Sequence, residues 1–360
     1  MQFDFHHAVT YVTARLAGFS HEDADVVAYC AQYVDDATNS GVIEFDNGAL
    51  YSRLSSAHKA LDYRNFKDLA NHRVWLPFHF LPGNGGLPAG QDPAGGFIEK
   101  LICRPDSPVA HDMIASAIAD RHKRYGLARL GIAMHVYADT WAHQGFAGVC
   151  HQINYITTLD HEGNPDATIS SWFGDVLDRL KSEVVATAWP LGHGAALSNP
   201  DKPFLQWSYV DHRGEKILRD NPSDFVTAAD HLCRAMRRYI AGDPNADLPG
   251  LPDADREKIA GLFLELEDPD SHVRWQGWAE RIARGDFSFG PAEITFIDKG
   301  EGSWKHQALG TTAAVDDEGT VFPFTPEFLT SRWKQFHDAA EAHRSSVVRD
   351  ILPHYGIVSA

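Results

Sequence analysis

Cysteine is sparse in this chain: its 360 residues hold four, Cys30, Cys103, Cys150 and Cys233. They stand far apart without a CxxC pair, so neither a zinc ribbon nor a disulfide framework is visible. Positive charge is also short. Lys and Arg number 32 against 49 Asp and Glu, a formal net charge of -17. So negative a chain lacks the broad basic footprint that duplex nucleic acid or an anionic membrane selects. No apolar run reaches spanning length, and the opening Met1-Gln-Phe-Asp-Phe-His-His has neither a basic n-region nor an apolar h-region. A cytoplasmic, reduced protein is expected. No Gly-rich loop follows a strand pattern and strands do not alternate with helices, so neither a phosphate loop nor a parallel sheet is indicated.

Histidine, by contrast, is plentiful, with 20 residues set in a chain that is 44% hydrophobic. The most informative segment is 131–148, where His135, Asp139 and His143 recur every four residues. On a helix this spacing stacks all three on one face, roughly 6 Å apart along the axis. Two imidazoles and a carboxylate on one rigid support have the composition of a zinc or non-haem iron site. The helix carrying them is apolar nearly all round, which places it in the interior.

Helices are expected over 6–17, ending at Gly18, and over 20–33, where Ser20 and Asp23 resemble a capping arrangement. Further ones fit 107–125, 127–144, 171–188, 223–241, 253–267 and 270–284. Thr325-Pro326 opens a last one running to 351. Residues 42–51 read as a strand or hairpin, 83–96 as a Gly/Pro-rich loop, and 286–324 as a small β-containing insertion. The fold class is therefore mainly α: one compact multi-helix domain over 1–360.

Other polar residues in apolar settings are candidates to converge on the central helix. His6 and His7 open the first helix, and only one of them is expected to face the core. Asp35 and Asp36 close the second, where carboxylates are unfavourable beside the negative helix end without a cation. His79 sits between Phe78 and Phe80 in a proline-flanked stretch, and His193 lies between two glycines. The metal candidates are thus His6, His7, Asp35, Asp36, His79, His135, Asp139 and His143. His111-Asp112 has the dipeptide of HD-type phosphohydrolases, although it also fits a polar first turn of a helix.

This order of residues resembles the zinc-dependent phospholipase C and fungal single-strand nuclease superfamily, all-helical enzymes with clustered zinc. The resemblance rests on an N-terminal His, an Asp about thirty residues later, a central His-x-x-x-Asp and histidines downstream. The segments YVDDAT, PFHFLPGN, LGIAMHVYADTWAHQGFAG and GHG also look like those of an uncharacterised microbial family of the same type. Those enzymes begin, once processed, with a Trp whose amine and carbonyl bind zinc, whereas this chain begins with Met1. The resemblance accordingly implies one or two divalent ions, zinc foremost with iron or manganese as alternatives. It implies a metal-dependent hydrolase acting on a phosphoester or other small molecule. Asp139, Asp35 or Asp36 would bridge the ions, with Asp36 in the reacting centre and His193 protonating the leaving oxygen. Two different readings stay open: a di-iron oxygenase, and a metal-stabilised helical binding protein without turnover. The substrate and the oligomeric state are not legible in the sequence.

Overall fold

The chain enters helix at once. A π-helical turn over Asp4–Val9 runs into α1 (Thr10–Ala17), which stops at Gly18 in the left-handed conformation (φ 113°). Ser20 then caps α2 (His21–Asp36), accepting from the Asp23 N–H at 3.1 Å. The hairpin of β1 (Gly41–Phe45) and β2 (Leu50–Arg53) follows, with Gly41 opposite Arg53. Next come α3 (Asp68–Phe78), α4 (Phe97–Leu101), α5 (Pro108–Ala119) and α6 (Gly126–Ala142). The computed structural model describes residues 1–57, 68–161, 191–317 and 319–359. The helix expected over 171–188 lies outside them.

A three-stranded antiparallel sheet, absent from the sequence reading, is built from β3 (Thr158–His161), β4 (Gln206–Val210) and β5 (Lys216–Asp220). It leads into α7 (Asn221–Ala241), α8 (Asp253–Glu265) and α9 (Ser271–Arg284). The described residues of 286–324 contain turns, the short α10 (Trp304–Leu309) and a two-residue strand, β6 (Val321–Phe322). Because β6 pairs in parallel with β1, Glu44 opposite Val321, the stretch is stitched to the N-terminal hairpin. The last helical stretch is broken into a 3-10 turn (Pro326–Thr330), α11 (Arg332–Ser345) and a π-helical turn (Ser346–Ile351).

Every residue of α6 except Leu127 is buried, as an all-round apolar helix requires. It packs against α2, α7 and α11. Its approach to α2 depends on Gly131, where a Cβ would stand 2.5 Å from Val27 O and 2.6 Å from Cys30 Cβ. A second anchor fixes the N-terminal turn. Arg274 of α9 grips Asp4 through two bonds of 2.7 and 2.9 Å, both side chains fully buried, and also donates to Gln2 Oε1 at 2.5 Å. Among the described residues no helix is long and apolar enough to cross a membrane.

Candidate metal centre

Four-residue spacing on α6 does what helix geometry dictates: His135, Asp139 and His143 reach one region of the interior, with 0%, 1% and 4% exposure. Other elements converge there. The π-helical turn brings His6, the C-terminal end of α2 brings Asp35, and the residue after α3 brings His79. The loop after residue 190 adds His193, and a 3-10 turn (Asn199–Asp201) adds Asp201. Their ligand atoms form three groups, each within 4.8 Å: His6, Asp35 and His135; His79, His135 and Asp139; His143, His193 and Asp201.

The distances within these groups are those of polar atoms facing one another directly. Asp139 Oδ2 lies 3.2 Å from His135 Nε2, 3.5 Å from His79 Nδ1 and 3.7 Å from His143 Nδ1. Asp139 Oδ1 lies 3.2 Å from His6 Nε2. Asp35 Oδ1 is 3.8 Å from both His79 Nδ1 and His135 Nε2. Asp201 receives His143 Nε2 at 3.1 Å and His193 Nε2 at 3.3 Å.

Four of the rings have their other nitrogen tied to a backbone carbonyl, which accepts but never donates. His79 Nε2 donates to Ser56 O (2.9 Å), His135 Nδ1 to Ala31 O (2.7 Å), His143 Nδ1 to His79 O (2.7 Å) and His193 Nδ1 to Leu197 O (2.8 Å). In a neutral ring the inward nitrogen is then a lone pair. Those lone pairs point at carboxylates, and at each other where His79 Nδ1 and His135 Nε2 stand 3.2 Å apart. Acceptor facing acceptor is unfavourable unless a proton or a cation lies between them. Both nitrogens of His6 and Asp139 Oδ2 are buried without a hydrogen-bond partner among the described residues, as metal-directed atoms would be.

Charge follows the same logic. Burial opposes ionisation of Asp139, but His143, the Met1 amine, His135 and His6 outweigh it and hold the carboxyl well below its usual range. Asp201 is likewise held down, by His193, the Met1 amine and His143 against its burial. Burial keeps His6 neutral, its pKa lowered to about 3, and also lowers His193. His135 moves the other way, because Asp139 and Asp35 outweigh its burial and raise it. The buried Met1 amino group lies 2.5 Å from Asp139 Oδ1 and 3.2 Å from Asp201 Oδ1. Those two carboxylates overcome its burial and push it up to about 11.

Two sequence candidates lie elsewhere. His7 is as fully buried as His6, against the expectation that only one of them faces the core, but one helical step away it accepts from the Trp275 indole at 2.9 Å and packs on Phe296, and burial lowers its pKa to about 3. Asp36 accepts from Gln32 Nε2 at 3.0 Å and lines a solvent-open cleft of about 280 Å³ with Phe3, Trp275 and Phe296. Burial raises it to about 6. His111 and Asp112 diverge: His111 Nε2 meets Asp106 Oδ1 at 2.7 Å, while Asp112 accepts from Tyr355 at 2.7 Å. Asp201 escaped the sequence reading, since Asn-Pro-Asp in a loop carries no periodic signal. The Met1 amine escaped it because only the fold carries the N-terminus into the interior.

The chain belongs to a family of unknown function, DUF6765, which matches residues 1–351. No curated protein and no solved structure matches it.

Proposed function

We propose that this member of the family is a metal-dependent hydrolase, with phosphoesters as its substrate class and zinc as its fitting ion. The observation that carries the reading is the set of inward lone pairs on His79, His135, His143 and His193, each fixed by a backbone carbonyl and aimed at Asp139, Asp35 or Asp201. Three carboxylates, Asp35, Asp139 and Asp201, converge here against a single buried ammonium, that of Met1, an excess of negative charge that divalent cations offset.

His135 limits how many ions fit. Its Nδ1 is committed to Ala31 O, so only Nε2 remains, and the two groups that share it compete for one ligand atom. The residues therefore provide one position around His135, with His79 and Asp139, and a second at His143, His193 and Asp201. Five imidazoles to three carboxylates is richer in nitrogen than the Glu-dominated set of di-iron bundles, which favours zinc over an oxygenase centre.

A divalent ion held by these residues supplies Lewis-acid charge stabilisation and lowers the pKa of water toward ~7. The protein's own groups do the rest. With His79, His135 and Asp139 as ligands, Asp35 is left free, its Oδ1 3.8 Å from both rings and its side chain 36% exposed. It is placed to take a proton from water on the solvent side. His193 is better cast as a ligand than as the acid expected from the sequence, because Nδ1 is bonded to Leu197 O and Nε2 faces Asp201. The resemblance in motif order to zinc phospholipases and nucleases supports the phosphoester class.

The test is hydrolysis of bis(p-nitrophenyl) phosphate by the purified chain before chelation, after it, and after zinc is restored. Zinc-dependent turnover that Asp139→Ala abolishes is the expected result. Bound iron with oxygen consumption and no phosphodiesterase activity would overturn it.

A further inference from the structure

The second metal position has no helix of its own. His143 is the C-cap of α6, His193 lies in a loop, and Asp201 ends a 3-10 turn, yet their ligand atoms lie within 4.8 Å. Something outside the group must fix the spacing, and the end of β5 is joined to both sides of it.

Arg219 holds the His143 side. Trp141 O and Ala142 O are among the last carbonyls of α6, which have no partner within the helix. Arg219 Nη2 donates to them at 2.9 and 3.2 Å from a side chain only 4% exposed, placing a cation at the negative end of the helix that carries His135 and Asp139. The same guanidinium pairs with Asp224 at 3.4 Å through Nη2, while Nε and Nη1 are buried with no hydrogen-bond partner among the described residues. Burying so sparsely paired a cation is costly.

Asn221 holds the Asp201 side. Its Nδ2 donates to Asn199 O at 2.7 Å and to Lys202 O at 2.8 Å, the residues that bracket Asp201. The two holds are tied to each other. Arg219 stands opposite Trp207 in the β4–β5 ladder, and the Trp207 indole donates to Asn221 Oδ1 at 3.1 Å. The rings of the position around His135 lean on Ser56 O and Ala31 O, and a direct tie between the two positions is the 2.7 Å bond from His143 Nδ1 to His79 O.

We propose that Arg219 and Asn221 are positioning residues that register His143 against Asp201, so that the second metal position can be lost while the position around His135 remains. This rests on the metal-centre reading above. The experiment is a cobalt(II) titration of the full chain, followed by visible absorption and by elemental analysis after gel filtration. Arg219→Met and Asn221→Ala are each expected to weaken the second equivalent about 10–100-fold, the usual effect of losing an outer support, with the first equivalent unchanged. Arg219→Lys, which keeps the cation at the helix end, should recover part of the loss. If Arg219→Met fails to fold, Asn221→Ala decides alone. Unchanged binding of the second equivalent in the variants overturns the proposal, as does equal weakening of both equivalents. A wild-type chain that takes up no cobalt refutes the metal-centre reading itself.

Discussion

Gly131→Ala is a one-carbon change at the tightest contact between the metal-bearing helix and α2. The added Cβ would lie 2.5 Å from Val27 O, 2.6 Å from Cys30 Cβ and 3.2 Å from Ala31 N. Ordinary contact begins near 3.4 Å, so the shortest distance is deficient by about 0.9 Å, and the obstacle is helix backbone rather than a movable side-chain end. Overpacking of this kind costs about 1–3 kcal/mol, and the rigid obstacle places this case at the upper end. Alanine is otherwise the better helix former by about 1 kcal/mol, so the sign of the measured change shows whether the clash is real. Separation of the helices would also act on the site. His135 follows Gly131 by one turn, and its Nδ1 bond to Ala31 O, 2.7 Å long, crosses the same seam. Loss of that support should weaken metal binding about 10–100-fold. Urea unfolding of the metal-free variant tests the first effect and zinc competition titration the second. A variant as stable as the wild type, with unchanged zinc affinity, would refute the reasoning.

Arg274→Met leaves Asp4 as an uncompensated buried charge and should cost about 3–5 kcal/mol in denaturant unfolding, whereas the double variant with Asp4→Leu should recover much of it; equal losses in both would contradict this. Burial, aided by Arg53, lowers the pKa of His337 from 6.5 to about 3, so its share of stability is complete above pH 6.5 and is lost as pH falls toward about 3. His337→Gln should flatten that acid limb of the stability curve, and an unchanged slope would show that His337 does not cause it. His135→Ala should remove the first metal position and leave the second, and His193→Ala the reverse, both by metal stoichiometry; identical losses would mean that the two positions form one unit.

Legibility in the sequence tracked regularity. His135, Asp139 and His143 could be read because one helix fixes their relation. The pairs His6/His7 and Asp35/Asp36 could not be resolved to one member each, since a one-residue rotation of about 100° decides which reaches the metal centre, and both histidines are buried. The π-helical turn over Asp4–Val9 changes that rotation, and nothing in Asp-Phe-His-His announces it. The sheet of β3, β4 and β5 went unread because its strands are four or five residues long and half exposed. With it went Arg219 and Asn221, whose parts depend on contacts to Trp141, Ala142, Asn199 and Lys202 far away in sequence. Asp201 belongs to the same class of residue, local in chemistry and non-local in placement.

The central claim is that inward lone pairs and buried carboxylates around Asp139 hold divalent ions. Elemental analysis of the purified chain, wild type beside Asp139→Ala, tests it most directly. The account predicts zinc at both positions of the wild type and loss of the one around His135 from the variant, with the helical circular-dichroism signal retained. A folded wild type free of zinc, manganese and iron after incubation with each, or a variant with full metal content, would contradict it.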